Sequence, residues 1–297
     1  MWQAQELHAQ GGSPEQVLKT ALQEAEAVLV GVGAGMGAAD GFTYVGSRFS
    51  AAFPDFIEKY GWLDMFQASV HPFMEEAEAW AFFSRFVVLN GLDQPLGPSF
   101  VRLRDMLAGL NYHIITSNAD NSFEVAKFPA ERIYDAQGKY RLMQCARGCH
   151  AKRYPFDDLA RAMVEQQEDM RVPRDLIPNC PVCGGPMELN RRNHWDWMVE
   201  DEAFYTQRKL YNQFLGAYQH GKLLLLELGC GFMAPQIIKQ PFQNFCRYQP
   251  KSLYLTVNLK NYQRPQAILK RSIWLPADIK TLLANTWEAM GHGHDLN

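Results

Sequence analysis

A chain of 297 residues, 47% hydrophobic and with a formal charge of -3, is long enough for one large domain plus a small appended module. The balanced charge gives no basic footprint for nucleic acid, and no stretch approaches the roughly 20 apolar residues of a membrane span. The run from Leu223 is broken by Glu227, and MWQAQELHAQGG lacks the basic and apolar regions of a secretory signal, so a cytoplasmic address is expected.

Ser13, Pro14 and Gln16 read as an N-cap, a first-turn proline and a capping-box partner. They open a helix with Val17, Leu18, Leu22 and Ala25 on one face. It leads into AVLVGVGAGMGAADG, Ala27 to Gly41, where an apolar run passes into Gly31, Gly33, Gly35 and Gly37. A strand ending in glycines lets backbone amides approach a phosphate, and a following helix would offer its N-terminus to the same anion. The same spacing also serves a tight turn packed under a helix. From Phe53 to Val88, Phe, Trp, Met and Glu at mixed helical spacings predict several short helices whose aromatic residues form core.

A helix over Ser99 to Leu110 precedes a β-rich run, Tyr112 to Thr116, that ends in Ser117, Asn118, Ala119, Asp120 and Asn121. The pattern of strand and polar loop returns where Leu223 to Leu228 meets Gly229, Cys230 and Gly231, and where Leu253 to Val257 meets Asn258. Loops at the carboxyl ends of parallel strands share one crevice. Strands alternating with helices therefore predict a Rossmann-like, doubly wound α/β domain, discontinuous over 13–144 and 188–290. Between Cys145 and Met187 the composition changes to paired cysteines, prolines and a predicted helix from Phe156 to Met170, which reads as an inserted module over 145–187. The two histidines of the terminal GHGHDLN read as part of a frayed tail.

Cys145 and Cys149, then Cys180 and Cys183 with Gly184 and Gly185 behind them, place two thiol pairs on turns able to close a tetrahedral site. Zinc is the natural ion for four thiolates, and a site filled by sulfur would be structural. Reduced cysteines lining turns are the other reading, and His150 beside Cys149 leaves the ligand set open. Cys230 and Cys246 read as small buried hydrophobes.

In this order the motifs resemble the sirtuins, which join a Rossmann-like domain to an inserted zinc module. Gly33, Ala34 and Gly35 match the nucleotide loop, Thr116, Asn118 and Asp120 the T-x-N-x-D loop, and Gly138 the glycine after the catalytic histidine. The two cysteine pairs follow, Gly229 and Pro235 fall at the Gly-Thr-Ser loop and later proline, and Asn258 matches the late strand-end asparagine. The resemblance runs from about residue 13 to 290.

The departures are as informative. Where most sirtuins place the histidine base, this chain has Gln137, and a glutamine has no useful basicity near neutral pH. Loss of a positioned base costs about 10²- to 10⁴-fold, so deacylation by the usual route is not expected. Ser117 replaces a glutamine, Phe123 a histidine, and Thr43, Tyr44, Val45, Gly46, Ser47, Arg48, Phe49 the family's Pro-Asp-Phe-Arg stretch. HWDWMVED stands near the family's Phe-Gly-Glu. This set looks like the class M sirtuins, the microbial branch associated with protein ADP-ribosylation.

That resemblance implies an NAD-dependent protein mono-ADP-ribosyltransferase with Asn118, Asp120 and Gln137 as catalytic residues. Asn118 would orient the ribose or a water, Asp120 hold the nicotinamide amide, and Gln137 position a ribose hydroxyl or the acceptor. Gly33, Ala34, Gly35, Tyr44, Arg48, Ser117, Asn118, Asp120, Gly229, Gly231 and Asn258 would bind NAD, and Cys145, Cys149, Cys180 and Cys183 a structural zinc. Each also has an ordinary reading: an Asx turn for Asn118 and Asp120, turn geometry for Gly229 and Gly231, a strand-end cap for Asn258, a salt bridge for Arg48. His194, Trp195 and Trp197 either border the acceptor cleft, near the helical segment 53–100, or form an aromatic core. The implied acceptor is a lipoyl-carrier protein related to the glycine cleavage H protein, with a link to oxidative stress. A deacylase using another base, an NAD hydrolase and an NAD or ADP-ribose sensor are the competing readings.

Overall fold

The computed structural model describes residues 2–192 and 197–292. His194 and Trp195 of the HWDW stretch, and the tail beyond His292, lie outside the described residues. Strands β1 (Ala27–Val32), β2 (Tyr112–Thr116), β3 (Ile133–Asp135), β4 (Gly138–Cys145), β5 (Tyr154–Pro155), β6 (Met187–Arg191), β7 (Leu223–Leu228), β8 (Leu253–Val257) and β9 (Ser272–Leu275) form two sheets. The larger has the order β3-β2-β1-β7-β8-β9, every pair parallel. This is the doubly wound α/β arrangement, and its strand order reverses between β1 and β7.

Alternation along β1 explains how one strand serves two layers. Val28, Val30 and Val32 enter a core with Leu18, Leu22, Phe100, Leu103 and Leu283, while Ala27 and Leu29 face Phe204, Tyr211 and Phe242 on the other side. The predicted first helix forms over Pro14–Glu24 with Ser13 at the N-cap, although the Ser13 hydroxyl makes no capping bond. Gly31 also has a packing role. A Cβ there would lie 2.3 Å from Ile238 Cγ2 and 2.9 Å from the Phe242 ring, so its absence lets the Lys239–Tyr248 helix close on the sheet.

The smaller antiparallel sheet, β5-β4-β6, extends from 138 to 191 around the cysteine-bearing segment. Its helix spans Asp157–Gln166, ending before Met170 because Gln167 turns extended, and Asp169 and Met170 beyond it take positive φ. The short helices Ser47–Ala52, Pro54–Tyr60, Met65–Ser69 and Glu76–Val87 share a second core with this module. There Phe53, Phe56, Phe82 and Trp80 pack with Phe156, Met163, Cys145 and Cys180. The aromatic-rich segment is core, as its spacing predicted. Among the described residues no helix is long and apolar enough to cross a membrane.

One buried group gives a direct check of the packing. His113 on β2 is 4% exposed, lies against Tyr211 and Phe214, and its Nε2 has no partner among the described residues. Burial, with a smaller contribution from Arg132, pushes its pKa down to about 4. The unfolded chain takes up this proton near the ordinary value of 6.5, so it binds more protons between those limits. Stability from the neutral ring is complete above about pH 6.5 and falls by about 3 kcal/mol as the pH drops to about 4. His113→Leu is expected to flatten the pH dependence of chemical denaturation across that window, and an unchanged slope would contradict the assignment.

Candidate active site

The loops after β1 and β7 meet at the point where the strand order reverses. The Gly33 amide donates to Leu228 O at 3.0 Å and the Gly35 amide to Gly229 O at 3.0 Å. A Cβ on Gly33 would sit 2.7 Å from Cys230 Cα, and one on Gly35 2.7 Å from Gly229 Cα; Gly229 itself has φ +65°. These glycines are therefore needed for two backbones to touch, a constraint that holds with or without a ligand. Gly37, inside the Ala34–Ala39 helix, has only Phe42 at 3.6 Å. Gly35→Ala is expected to destabilise by about 3 kcal/mol, while Gly37→Ala should stabilise by up to about 1 kcal/mol. Chemical denaturation distinguishes the signs.

Hydrogen bonds link the neighbouring loops into one rim. Ser117 N donates to Val32 O at 3.0 Å, and Asn118 Nδ2 to Gly33 O at 3.2 Å. Asn118 N in turn bonds Thr116 Oγ1 at 3.0 Å, so its backbone and its side chain are both pinned. On the other flank Gly229 N donates to Val257 O at 3.1 Å and Asn258 Nδ2 to Cys230 O at 3.1 Å. Gly231 is exposed and stands apart from these bonds; a Cβ there would lie 3.9 Å from the Tyr262 hydroxyl.

Gln137 connects β3 to β4. Ala136 N donates to Thr116 O at 3.1 Å and Tyr140 N to Ala119 O at 2.9 Å, so the residues flanking Gln137 are tied to the ends of the Asn118 loop. Gly138, at φ +89° with Asn190 O where a Cβ would be, allows the chain to reverse there. Asp120 is half-buried, and its Oδ1 accepts the Ser122 amide at 2.9 Å. Burial raises its pKa above the ordinary range, opposed by the bonds from Ser122.

Tyr44 and Arg48, just before the helical segment 53–100, join the β4 strand and that segment to the rim. The Tyr44 hydroxyl meets that of Tyr140 at 2.9 Å, and burial, with Asp120 nearby, pushes the Tyr44 phenol well up. Arg48 bonds Asn90 Oδ1 at 2.6 Å, Leu89 O at 2.9 Å and Thr43 O at 3.2 Å. These acceptors are neutral, and among the described residues no carboxylate bonds Arg48; burial lowers its pKa, and Asp120 acts on it through space. Sequence reasoning missed Tyr140 and Arg192, whose amide donates to Gln137 O at 3.1 Å and whose Nε donates to Ala136 O at 2.9 Å. Nothing in the local sequence singles out either residue, because their positions depend on the β3–β4 reversal.

The four cysteine sulfurs lie within 4.8 Å of one another, with Cys145–Cys183 and Cys149–Cys180 each at 3.6 Å. A zinc–sulfur bond of about 2.3 Å gives a tetrahedron with edges of about 3.8 Å, so the set fits such an ion. His150 lies 3.0 Å from Cys149 Sγ through Nδ1 and 2.7 Å from the Tyr154 hydroxyl through Nε2. The cluster begins at the far end of β4 from Gln137, about 23 Å along the strand. Cys230 and Cys246 are buried outside it, and burial raises both thiols.

A doubly wound sheet with its site at the switch point and a four-cysteine module beside it is the sirtuin fold. Sir2 bound to acetylated peptide aligns with a TM-score of 0.58 at 15% identity, covering 94% of this chain and 99% of that one. A Sir2 homolog–NAD complex gives 0.56 at 13%, covering 93% and 94%. No family model matches the chain. A protein ADP-ribosyltransferase of Staphylococcus aureus (strain Mu50 / ATCC 700699) is 50% identical over 268 residues, 90% of this chain and 85% of its own. The chain belongs to the microbial, sirtuin-type protein ADP-ribosyltransferases. A Fusarium oxysporum f. sp. cubense relative, named "Probable bifunctional ADP-ribose hydrolase/ADP-ribosyltransferase", is 26% identical over 230 residues, 74% of this chain but only 38% of that protein.

Proposed function

We propose that this enzyme cleaves NAD at the rim formed by Asn118, Asp120 and Gln137 and transfers ADP-ribose to a lipoylated carrier protein related to the glycine cleavage H protein. Glutamine at position 137, on the turn tied to the Asn118 loop, carries the reading: the position holds an orienting amide in place of a base. In the reaction the nicotinamide–ribose bond breaks and its electron pair leaves with nicotinamide. The ribose C1 bonds the acceptor atom, whose proton goes to solvent.

Positive charge developing at C1 is stabilised by prepositioned carboxylate and amide oxygens, which need no proton transfer. Asn118 and Asp120 would supply that environment, and Gln137 would orient the acceptor or a ribose hydroxyl. Gly33, Ala34, Gly35, Ser117, Tyr44, Arg48, Gly229 and Gly231 would hold the phosphate and ribose side of NAD, with Asn258 at the adenosine ribose. The acceptor would enter between the helical segment 53–100 and the main domain. Zinc held by Cys145, Cys149, Cys180 and Cys183 would fix the module without entering the chemistry. Cysteines gathered at a metal site suit a cytoplasmic address, and a lipoylated acceptor would link the activity to oxidative stress.

Mass spectrometry of a lipoylated carrier, also acetylated on lysine, after incubation with NAD tests the reading. A gain of ADP-ribose on the carrier is expected. Loss of the acetyl group would instead make the protein a deacylase, nicotinamide release without modification a hydrolase, and NAD binding without products a sensor.

A further inference from the structure

Lys139 is 9% exposed and lies two residues beyond Gln137 on β4. Its ammonium pairs with Asp135 at 3.2 Å and with Glu124. Asp135 is itself 3% exposed and held by Gln207 of the Glu202–Tyr218 helix, which donates to Asp135 Oδ2 at 3.1 Å and accepts the Asp135 amide at 3.3 Å. Glu124 sits on the short Ser122–Val125 helix directly after the Asn118–Asp120 loop. Residues 135–139 thus form an arch with Gln137 at its crown, closed at the base by the Asp135–Lys139 pair. Lys139 is also the direct ionic link from that arch to the element carrying Asn118 and Asp120.

A buried ammonium is a poor source of stability, because desolvation offsets most of the attraction. Fixing the register of two loops is the better-supported use of such a group. We propose that Lys139 is a positioning residue: by clamping the arch to the Asn118 loop it holds Gln137 where it directs ADP-ribose to the protein acceptor in preference to water. This rests on the role given to Gln137 above.

The two fates differ only in the last bond. In both, nicotinamide leaves with the glycosidic electron pair, and C1 then bonds either the acceptor atom or a water oxygen, with one proton released. A protein acceptor must be aligned to about an ångström, whereas water at solvent concentration needs little alignment, so a loosened arch penalises transfer far more than hydrolysis. Replacing the cation also leaves two carboxylates in place, which do not oppose positive charge at C1.

The test measures nicotinamide released and ADP-ribose bound to the lipoylated carrier in one reaction with labelled NAD, for wild type, Lys139→Met, Lys139→Arg, Glu124→Gln and Gln137→Ala. Lys139→Met is expected to lower carrier-bound ADP-ribose per nicotinamide released by about tenfold, with nicotinamide release itself falling less than about threefold. Lys139→Arg should restore most of the ratio, and Glu124→Gln, which leaves the Lys139–Asp135 pair intact, should shift it in the same direction as Lys139→Met. An unchanged ratio in both Lys139→Met and Glu124→Gln overturns the proposal, as does an equal fall in both products. If Gln137→Ala shifts the ratio and the Lys139 and Glu124 variants do not, the Lys139 proposal alone fails. If Gln137→Ala leaves the ratio unchanged, or wild type modifies no carrier, the underlying reading fails.

Discussion

Asn118→Ala is expected to lower nicotinamide release from NAD by about 100- to 1000-fold, the usual loss when one prepositioned polar group facing the reacting charge is removed. The geometry makes the variant informative. Asn118 N is held by Thr116 Oγ1 and its Nδ2 by Gly33 O, while no donor bonds its Oδ1 among the described residues. The side chain is fixed at one end and its oxygen is left for a ligand. The structural cost is that of one half-buried hydrogen bond, about 1 kcal/mol, or a melting shift of about 2 to 4 °C. Steady-state rates beside a thermal melt separate the two effects. A rate within about threefold of wild type would remove Asn118 from the chemistry and leave it as a loop clip.

Removing the metal should have the largest effect on folding. Cys145 and Cys180 are 0% and 2% exposed and share a core with Phe156, Met163 and Phe82, while Cys149 and Cys183 are exposed, so an empty cluster would leave two sulfurs against apolar side chains without their metal. Structural zinc contributes about 10 to 16 kcal/mol of apparent binding free energy in small modules. One zinc per chain is expected by elemental analysis. Cys180→Ser or a strong chelator should remove it and lower the melting temperature by more than about 10 °C. NAD cleavage should fall with it, because β4 runs from Cys145 directly to Gly138 and Gln137. Cys246→Ser, at a buried thiol outside the cluster, should keep the zinc. Full metal content and wild-type melting in Cys180→Ser would refute the cluster.

The strands whose apolar runs end in glycine or a polar loop are legible in the sequence itself. Tyr112–Thr116, Leu223–Leu228 and Leu253–Val257 have their predicted bounds, since a strand buried on both faces reads as a continuous hydrophobic run. The edge strand β3 of the large sheet and the small sheet are harder to see. β3 is three residues long, and β4 carries Lys139 and Arg141, whose charges are neutralised by Asp135 just before the strand and by Glu124 and Asp157 on helices either side of it in sequence. Glu227 makes the same point on β7. It breaks the leucine run in the sequence yet is 0% exposed, paired with Lys239 and bonded by Tyr254 and Thr256. A buried charge is intelligible only once its partners are in place.

The glycine run shows how far spacing alone can go. Its position at the switch point follows from the strand that precedes it. The division of labour among its members does not: Gly31 admits a helix, Gly33 and Gly35 admit a second backbone, and Gly37 has room for a side chain. Tyr44 and Arg48 likewise have candidate roles from their position after the loop. Their contacts with Tyr140 and Asn90 join segments 42 to 96 residues apart, which local pattern cannot report.

The most direct test of the account is a crystal structure with a non-cleavable NAD analogue bound. It predicts the nicotinamide ribose within hydrogen-bond reach of Asn118 and Gln137, with Asp120 beside the nicotinamide amide and the adenosine toward the ends of β7 and β8. An analogue bound with its nicotinamide ribose away from these three residues, or with Gln137 turned away from it, would contradict the account.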